Sequence, residues 1–298
     1  MKQKKEFPSL SNPDKLLFPG DGITKLEYVM VLYNLSPYLL TYTENRYLTT
    51  IHFPDGVGEK QYYQKNIPAH APEFVKSKIY ENIEYIVMDS IETLLWMGNM
   101  AALEFHIPFN VMESENHPDA IVFDLDPSKG QTFSQVTEAA LIIYETLKEL
   151  GISSYCKTSG ATGLQIAIPT GKELDYDTAR DMNLFFGQYF AEKYPAVFTI
   201  ERIVNARGRK LYFDYLQMWK GKTIISPYSP RATEKAAVST PLLWEELKNG
   251  AKPQDFTLKN IQKRLEEKGD LYKPILTSAM EPGLLNILKW RKDRNHHI

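Results

Sequence analysis

The sequence predicts a mixed α/β (α+β) protein in which two small sheets flank a cleft and helices lie outside. Three observations predict it. Strand-length apolar runs alternate with helix-length amphipathic runs along most of the 298 residues. Clusters of Pro, Gly, Asn and Asp punctuate those runs. No internal repeat, low-complexity tract or Ser/Gly linker interrupts them. The reading is therefore one domain over 1–298, with a core of about 10–270 and a C-terminal tail at 271–298.

The first twenty residues hold several Pro and Gly and are expected to wrap the surface. A helix follows over Lys25–Leu40, with Tyr28, Val31, Leu32, Leu35 and Leu39 near a 3.6-residue period. Pro37 is expected to kink it or end it early. Tyr47–Phe53 and Lys60–Lys65 read as strands joined through Pro54-Asp55-Gly56, a turn sequence. Ser90–Leu103 reads as a second helix. Asp119–Asp126 is a strand with Ile121, Phe123 and Leu125 on one face and Val122, Asp124 and Asp126 on the other, ended by Pro127-Ser128-Lys129-Gly130. An amphipathic helix spans Thr132–Leu150 and stops at Gly151. Strands at Ser154–Thr158 and Leu164–Pro169 enclose a Gly-containing loop. Next come a helix over Tyr176–Tyr194 and strands near Val197–Glu201, Lys210–Gln217 and Thr223–Tyr228. The remainder reads as mostly helical with a polar tail.

Composition limits the function. The net charge is −2, so the chain has no global basic footprint, although 35 Lys+Arg leave room for a local basic groove. A single cysteine, Cys156, excludes an intramolecular disulfide framework and a Cys-based zinc site; it reads as a small buried strand residue. The basic N-terminus has no apolar run behind it, and no stretch is long enough to span a bilayer. The expectation is a soluble cytoplasmic protein with no membrane partner.

The chemistry centres on Asp124 and Asp126. On a strand they share a face, with Cα atoms about 7 Å apart. Two carboxylates so close repel unless a proton or cation lies between them, and oxygen-only ligands suit Mg²⁺ or Mn²⁺. A bare Asp-x-Asp at a strand end is equally what two solvated acids look like. Asp214, alone in the aromatic-rich Lys-Leu-Tyr-Phe-Asp-Tyr-Leu run (210–216), is either a hydrogen-bonded core acid or the third member of a two-metal site. The loop Thr158–Gly163 is either a plain hairpin loop or a phosphate cradle. Arg202, Arg207, Arg209, Lys210, Lys220, Lys222 and Arg231 cluster near Asp214 in sequence, and a triphosphate needs several such charges.

These motifs come in an order. Asn-Pro-Asp-Lys (12–15) is followed by Thr-Lys (24–25), Phe-Pro-Asp-Gly (53–56), Tyr-Tyr-Gln-Lys (62–65) and Leu-Glu-Phe-His (103–106). Phe-Asp-Leu-Asp-Pro (123–127), Thr-Ser-Gly-x-x-Gly-Leu (158–164), Phe-Asp-Tyr-Leu-Gln (213–217) and Ser-Pro-Tyr-Ser-x-Arg (226–231) complete the set. Each is weak alone; the ordered set is specific. Over about Asn12–Asp270 the chain resembles the polymerase domain of bacterial ligase D, a member of the archaeo-eukaryotic primase superfamily that works in non-homologous end joining.

The resemblance implies a primase-polymerase-like fold and a template-directed nucleotidyltransferase that fills gaps and extends DNA ends, with a preference for ribonucleotides. It implies a two-metal centre of Asp124, Asp126 and Asp214 that uses Mn²⁺ or Mg²⁺. Ser159, Arg207, Lys210, Gln217 and Arg231 match residues that hold an NTP or dNTP, or order its pocket, and His106 matches a histidine near the nucleotide sugar. Asn12, Lys15 and Lys25 match the pocket for a 5′-phosphate on gapped DNA or a DNA end. Tyr63 matches an aromatic that stacks on a template base, with Lys65 close by, and Phe53 is counted with them among the DNA-binding residues. The implied partners are a Ku-type end-binding protein and a separate or fused DNA ligase, in a nucleoid-associated setting.

Two departures stand out. The usual loop reads Ser-Gly-x-Lys-Gly-Leu-His, and here Thr162 and Gln165 replace the lysine and histidine that face the triphosphate. Lys157 is either a solvated strand residue or a substitute cation. His52 stands where an arginine is frequent. The rival readings are a primase-like replication enzyme of a mobile element, a haloacid-dehalogenase-type phosphatase suggested by Ile-Val-Phe-Asp-Leu-Asp (121–126), and a non-catalytic DNA-end-binding module.

Overall fold

A computed structural model describes residues 9–128 and 130–295. The expectations for the extreme N-terminus, Lys129 and the last three residues lie outside the described residues. In chain order the elements are β1 (Leu16–Phe18), β2 (Ile23–Thr24), α1 (Lys25–Thr43), β3 (Thr49–His52), β4 (Tyr62–Gln64), β5 (Ser77–Tyr80), β6 (Ile83–Ile86), α2 (Ile91–Asn99) and β7 (Ala102–Pro108). There follow β8 (Ala120–Asp126), α3 (Phe133–Glu149), β9 (Tyr155–Thr158), β10 (Leu164–Pro169), α4 (Tyr176–Lys193), β11 (Phe198–Thr199), β12 (Leu211–Phe213) and β13 (Thr223–Ile225). The chain ends with β14 (Pro241–Leu242), α5 (Trp244–Lys248), α6 (Ile261–Lys268), α7 (Pro274–Thr277) and α8 (Pro282–Asn295). Mixed α/β architecture with small sheets is what the sequence predicts.

The residues form two compact units: 1–108, 223–239 and 254–269 make the first, and 109–222, 240–253 and 270–298 the second. The first holds a four-stranded sheet in the order β13-β7-β3-β4. Helix α1 is started by a capping box in which Thr24 and Glu27 satisfy each other's backbone N–H. It runs through Pro37 instead of ending there. Pro37 removes the amide that would bond to the Tyr33 carbonyl, and the Ser36 hydroxyl donates to that carbonyl at 2.7 Å instead. Helix α2 stops at Asn99, short of the expected Leu103. Ala101 turns left-handed at φ 57°, and Leu103, Phe105 and Ile107 are buried at every second position of β7.

The second unit holds a six-stranded sheet in the order β11-β12-β8-β10-β9-β14, antiparallel except for the parallel pair β11–β12. Phe123 on β8 packs against Phe213 at 4.9 Å and against Phe186 of α4 at 5.4 Å, measured between ring centroids. Gly187 lets α4 come this close, because a Cβ there would sit 2.9 Å from the Phe213 ring. Helix α3 has Thr132 as its N-cap, and Gly151 takes φ 66° just past its end, as expected. Cys156 is buried in β9, where burial pushes its thiol pKa up. In the C-terminal stretch Leu284 of α8 is fully buried and Trp290 packs on Phe185.

Several strands are shorter than expected: Thr49–His52 and Tyr62–Gln64 lose residues at both ends, and Phe198–Thr199, Leu211–Phe213 and Thr223–Ile225 are also cut short. The shortening at Leu211–Phe213 matters for chemistry. Asp214 leaves the ladder at φ −81°, ψ 83°, and caps a 3₁₀ turn over Tyr215–Met218, accepting from the Leu216 N–H at 3.0 Å. A short acid that captures a nearby amide competes with strand pairing. Asp214 therefore sits at a strand end, half-buried, rather than inside a strand. Among the described residues no helix is long and apolar enough to cross a membrane.

Candidate functional site

The centre of the second unit's sheet collects its acids. Pairing sets Tyr212 opposite Asp126 and Phe213 opposite Leu125, so Asp214, one residue beyond β12, continues the register toward Asp124. On the next strand Gln165 pairs with Asp124. Cross-strand partners project to the same face. Asp124, Asp126 and Gln165 thus share one face, while Phe123, Leu125 and Phe213 are buried in the core. Asp126 is exposed and Asp124 half-buried.

Burial pushes the Asp124 carboxyl up to about 7, and the charges of Asp126 and Asp214 push the same way. A hydrogen bond from Gln165 Nε2 (3.1 Å to Oδ1) and the charge of Lys157 oppose that rise. Carboxylates that repel one another at an exposed strand end, with only oxygen donors, fit a hard divalent cation. Among the described residues no group of three or more His, Cys, Asp or Glu side chains makes a ready metal cage.

The Thr158–Gly163 loop is tied to itself. Ser159 Oγ accepts from the N–H groups of Ala161 (3.3 Å) and Gly163 (3.0 Å), and the Ser159 N–H donates to the Gly163 carbonyl. Gly163 is required by close approach: a Cβ there would lie 2.5 Å from Asp126 Oδ1 and 2.9 Å from the Leu125 carbonyl. The two departures from the usual loop differ physically, because Thr162 is exposed and Gln165 is buried. Lys157 is 1% exposed and donates to Gln165 Oε1, so it is not a solvated strand residue. Arg207 stacks on Tyr212 at 3.6 Å and donates to the carbonyls of Glu201 and Arg202. The Tyr212 hydroxyl in turn reaches Asp214 at 3.4 Å. Lys210 is exposed and Gln217 half-buried in the turn after Asp214.

In the first unit His106 and Arg231 meet on a residue that the sequence reading passed over. Glu104 accepts from His106 Nε2 at 2.9 Å with one oxygen; the other takes the Ala232 N–H at 3.1 Å and Arg231 Nε at 3.3 Å. Burial alone would raise Glu104, but the His106 hydrogen bond and the Arg231 charge hold its carboxyl below the usual range. The signal was present, since Glu104 and His106 are two apart on one strand and must share a face.

Lys25 is buried, and its Nζ donates to the Asn99 carbonyl at 2.8 Å and to Ser11 Oγ at 3.3 Å. Burial and the nearby Lys15 charge lower its pKa. Lys15 pairs with Asp55 at 2.7 Å, and Asn12, at φ 47°, accepts the Lys15 N–H with its carbonyl. Tyr63 is 67% exposed beside the exposed Lys65, whereas Phe53 is buried in the core.

A model of the LigD primase-polymerase domain matches residues 24–272. The chain belongs to the LigD primase-polymerase family. It is 39% identical over 293 residues to the bifunctional non-homologous end joining protein LigD of Bacillus subtilis strain 168, covering 98% of this chain and 47% of that protein. It is 29% identical over 285 residues to the multifunctional non-homologous end joining protein LigD of Mycolicibacterium smegmatis, covering 93% and 37%. The chain spans less than half the length of these curated relatives. Among solved structures it resembles the polymerase domain from Mycobacterium tuberculosis ligase D in complex with DNA, with a TM-score of 0.82 and 26% identity, over 91% of this chain and 98% of that one. The family assignment removes the ground for the phosphatase reading of residues 121–126.

Proposed function

We propose that this LigD-family chain is a template-directed nucleotidyltransferase that fills gaps and extends DNA ends in non-homologous end joining, with a preference for ribonucleotides. The observation that carries it is that Asp124 and Asp126 share one face of β8 while Asp214, just past β12, continues that register toward Asp124 and its charge reaches Asp124. In this reading the three carboxylates hold two divalent cations, Mn²⁺ or Mg²⁺. When bound, these supply Lewis-acid charge for attack by a primer 3′-hydroxyl on an α-phosphate and for departure of pyrophosphate.

The chain's own residues bind and orient. Lys210 and Arg231 supply charge to the triphosphate, and Arg207 joins them if it gives up its loop carbonyls. His106, held by Glu104, presents a fixed ring to the nucleotide sugar. Tyr63 offers a flat face to a template base. Lys15 and Lys25 take a 5′-phosphate as point charges, with Asn12 beside them. A Ku-type protein that delivers ends and a ligase activity, separate or fused, complete the repair reaction.

Primer extension on a gapped duplex with a recessed 5′-phosphate, supplied with Mn²⁺ and NTPs, tests this directly. Incorporation opposite the template is expected from the wild type. Asp126→Ala is expected to abolish it while leaving the DNA dissociation constant within about twofold, because an exposed side chain is removed without core loss. Absence of incorporation with either metal would end the polymerase reading, and persistent extension by Asp126→Ala would remove its metal role.

A further inference from the structure

Lys157, Gln165 and Asp124 stand in one row across three adjacent strands, Gln165 pairing with Lys157 on one side and with Asp124 on the other. Both outer contacts are made. Lys157 Nζ donates to Gln165 Oε1, and Gln165 Nε2 donates to Asp124 Oδ1 at 3.1 Å. Lys157 is 1% exposed and Gln165 4%. A lysine on a strand ordinarily carries its ammonium to water along a flexible stem. Here the head stays inside, with Pro241 of β14 as its pairing partner on the outer side. A buried ammonium is costly unless its donors are used.

The chemistry of the row fixes its polarity. An ammonium has only donors, an ionised carboxylate has only acceptors, and an amide has one end of each kind. Of the two flips open to the Gln165 amide, one satisfies both neighbours. The other turns its NH₂ toward the ammonium and its oxygen toward the carboxylate, losing both bonds at once.

We propose that Lys157 is a positioning residue for the carboxylate centre: it locks the Gln165 amide so that an N–H is always aimed at Asp124 Oδ1. That bond fixes the rotation of the carboxylate and leaves Oδ2 outside it. The inference rests on the two-metal reading of Asp124, Asp126 and Asp214. It gives Gln165 a task different from the triphosphate contact implied for the family's histidine: in this chain the residue serves the acid, not the phosphate.

The test measures Mn²⁺ affinity of the full chain from the electron paramagnetic resonance signal of the free ion, beside primer extension and a urea unfolding curve for every variant. Lys157→Met and Gln165→Met are each expected to weaken Mn²⁺ binding by about tenfold, the usual cost of removing a residue that orients a metal ligand. The double variant is expected to be no weaker than either single one, because each change breaks the same relay. A merely structural role would move the urea midpoint and leave Mn²⁺ affinity alone. If Lys157→Met does not fold, Lys157→Leu takes its place as the test of the lysine, since Gln165→Met reports only on the amide's own bond to Asp124.

Wild-type Mn²⁺ affinity in a folded single variant overturns the proposal. Additive losses in the double variant overturn it too, since Lys157 would then act on the centre without Gln165. The wild-type arm separates the two levels. A wild type that neither binds Mn²⁺ nor extends a primer removes the two-metal reading itself, whereas a wild type that does both, beside variants that match it, removes only the role of Lys157.

Discussion

His52 is a titratable ring held where a proton is unfavourable. It is fully buried, stacks on Tyr62 at 4.8 Å, approaches Thr50 Oγ1 at 3.0 Å and lies 3.1 Å from the Met100 carbonyl. Burial lowers its pKa from 6.5 to about 4, against the opposing pull of that carbonyl. Between those values the unfolded chain carries the proton and the native protein does not. The unfolded state therefore binds more protons, and stability falls as pH drops from 6.5 toward 4. At pH 5 the loss is at most about 2 kcal/mol. His52→Gln, which cannot titrate, is expected to lose less stability than the wild type between pH 7 and pH 5 in urea unfolding; equal losses would show that another group sets the acid limb. Glu104 makes the complementary case of a charge the fold welcomes. Glu104→Gln keeps the shape but points an NH₂ at one of its donors. It is expected to raise the nucleotide KM by about tenfold, the worth of one charge-assisted hydrogen bond, with DNA affinity unchanged. An unchanged KM would leave Glu104 a purely structural acid. Strand alternation made the Glu104–His106 pairing readable from sequence, whereas the approach of Arg231 to Glu104 came from a distant segment and was not.

Elements show where local pattern suffices and where it fails. The strand over Ala120–Asp126 and the helices over Phe133–Glu149 and Tyr176–Lys193 match their expected spans almost to the residue, because periodicity, caps and terminal signals agree. Helix α1 ran past Pro37 because a serine hydroxyl replaced the missing amide, a side-chain rescue that a rule about proline does not contain. Strand β12 ended at Phe213 because Asp214 preferred to cap the following turn. The loop between β9 and β10 was legible as Gly-containing, but not the reason for its last glycine. At Gly163 side-chain volume would strike both Asp126 and the backbone of β8. Gly163→Ala is expected to cost about 1–3 kcal/mol of stability, as overpacking does, and to lower primer extension by at least about tenfold through displacement of Asp126, a shift of order 1 Å being enough. Wild-type kcat in the folded variant would show that Asp126 tolerates the shift.

At the scale of the molecule the chain passes repeatedly between its two compact units, so neither is a continuous stretch of sequence. Periodicity reads only local order, and it gave no boundary because no linker exists to mark one. It also could not show that β13 returns to pair with β7, or that β14 returns to cover β9 beside Lys157. These returns decide stability. Residues 1–108 contain β7, whose backbone bonds on one side come from Thr223–Ile225 and from Ser226, whose N–H donates to the Phe105 carbonyl at 2.8 Å. Without residues 223–239 that edge is open along a strand in which Leu103, Phe105 and Ile107 are apolar, and such an edge invites pairing with another chain. The segment 254–269 also supplies α6, whose Ile261 is fully buried. A fragment of residues 1–108 is therefore expected to lack a cooperative urea transition and to self-associate, while the full chain unfolds cooperatively. Far-UV circular dichroism with sedimentation on both chains measures it. A monomeric fragment with the full chain's transition midpoint would show that the returning segments contribute little, and that residues 1–108 fold without them.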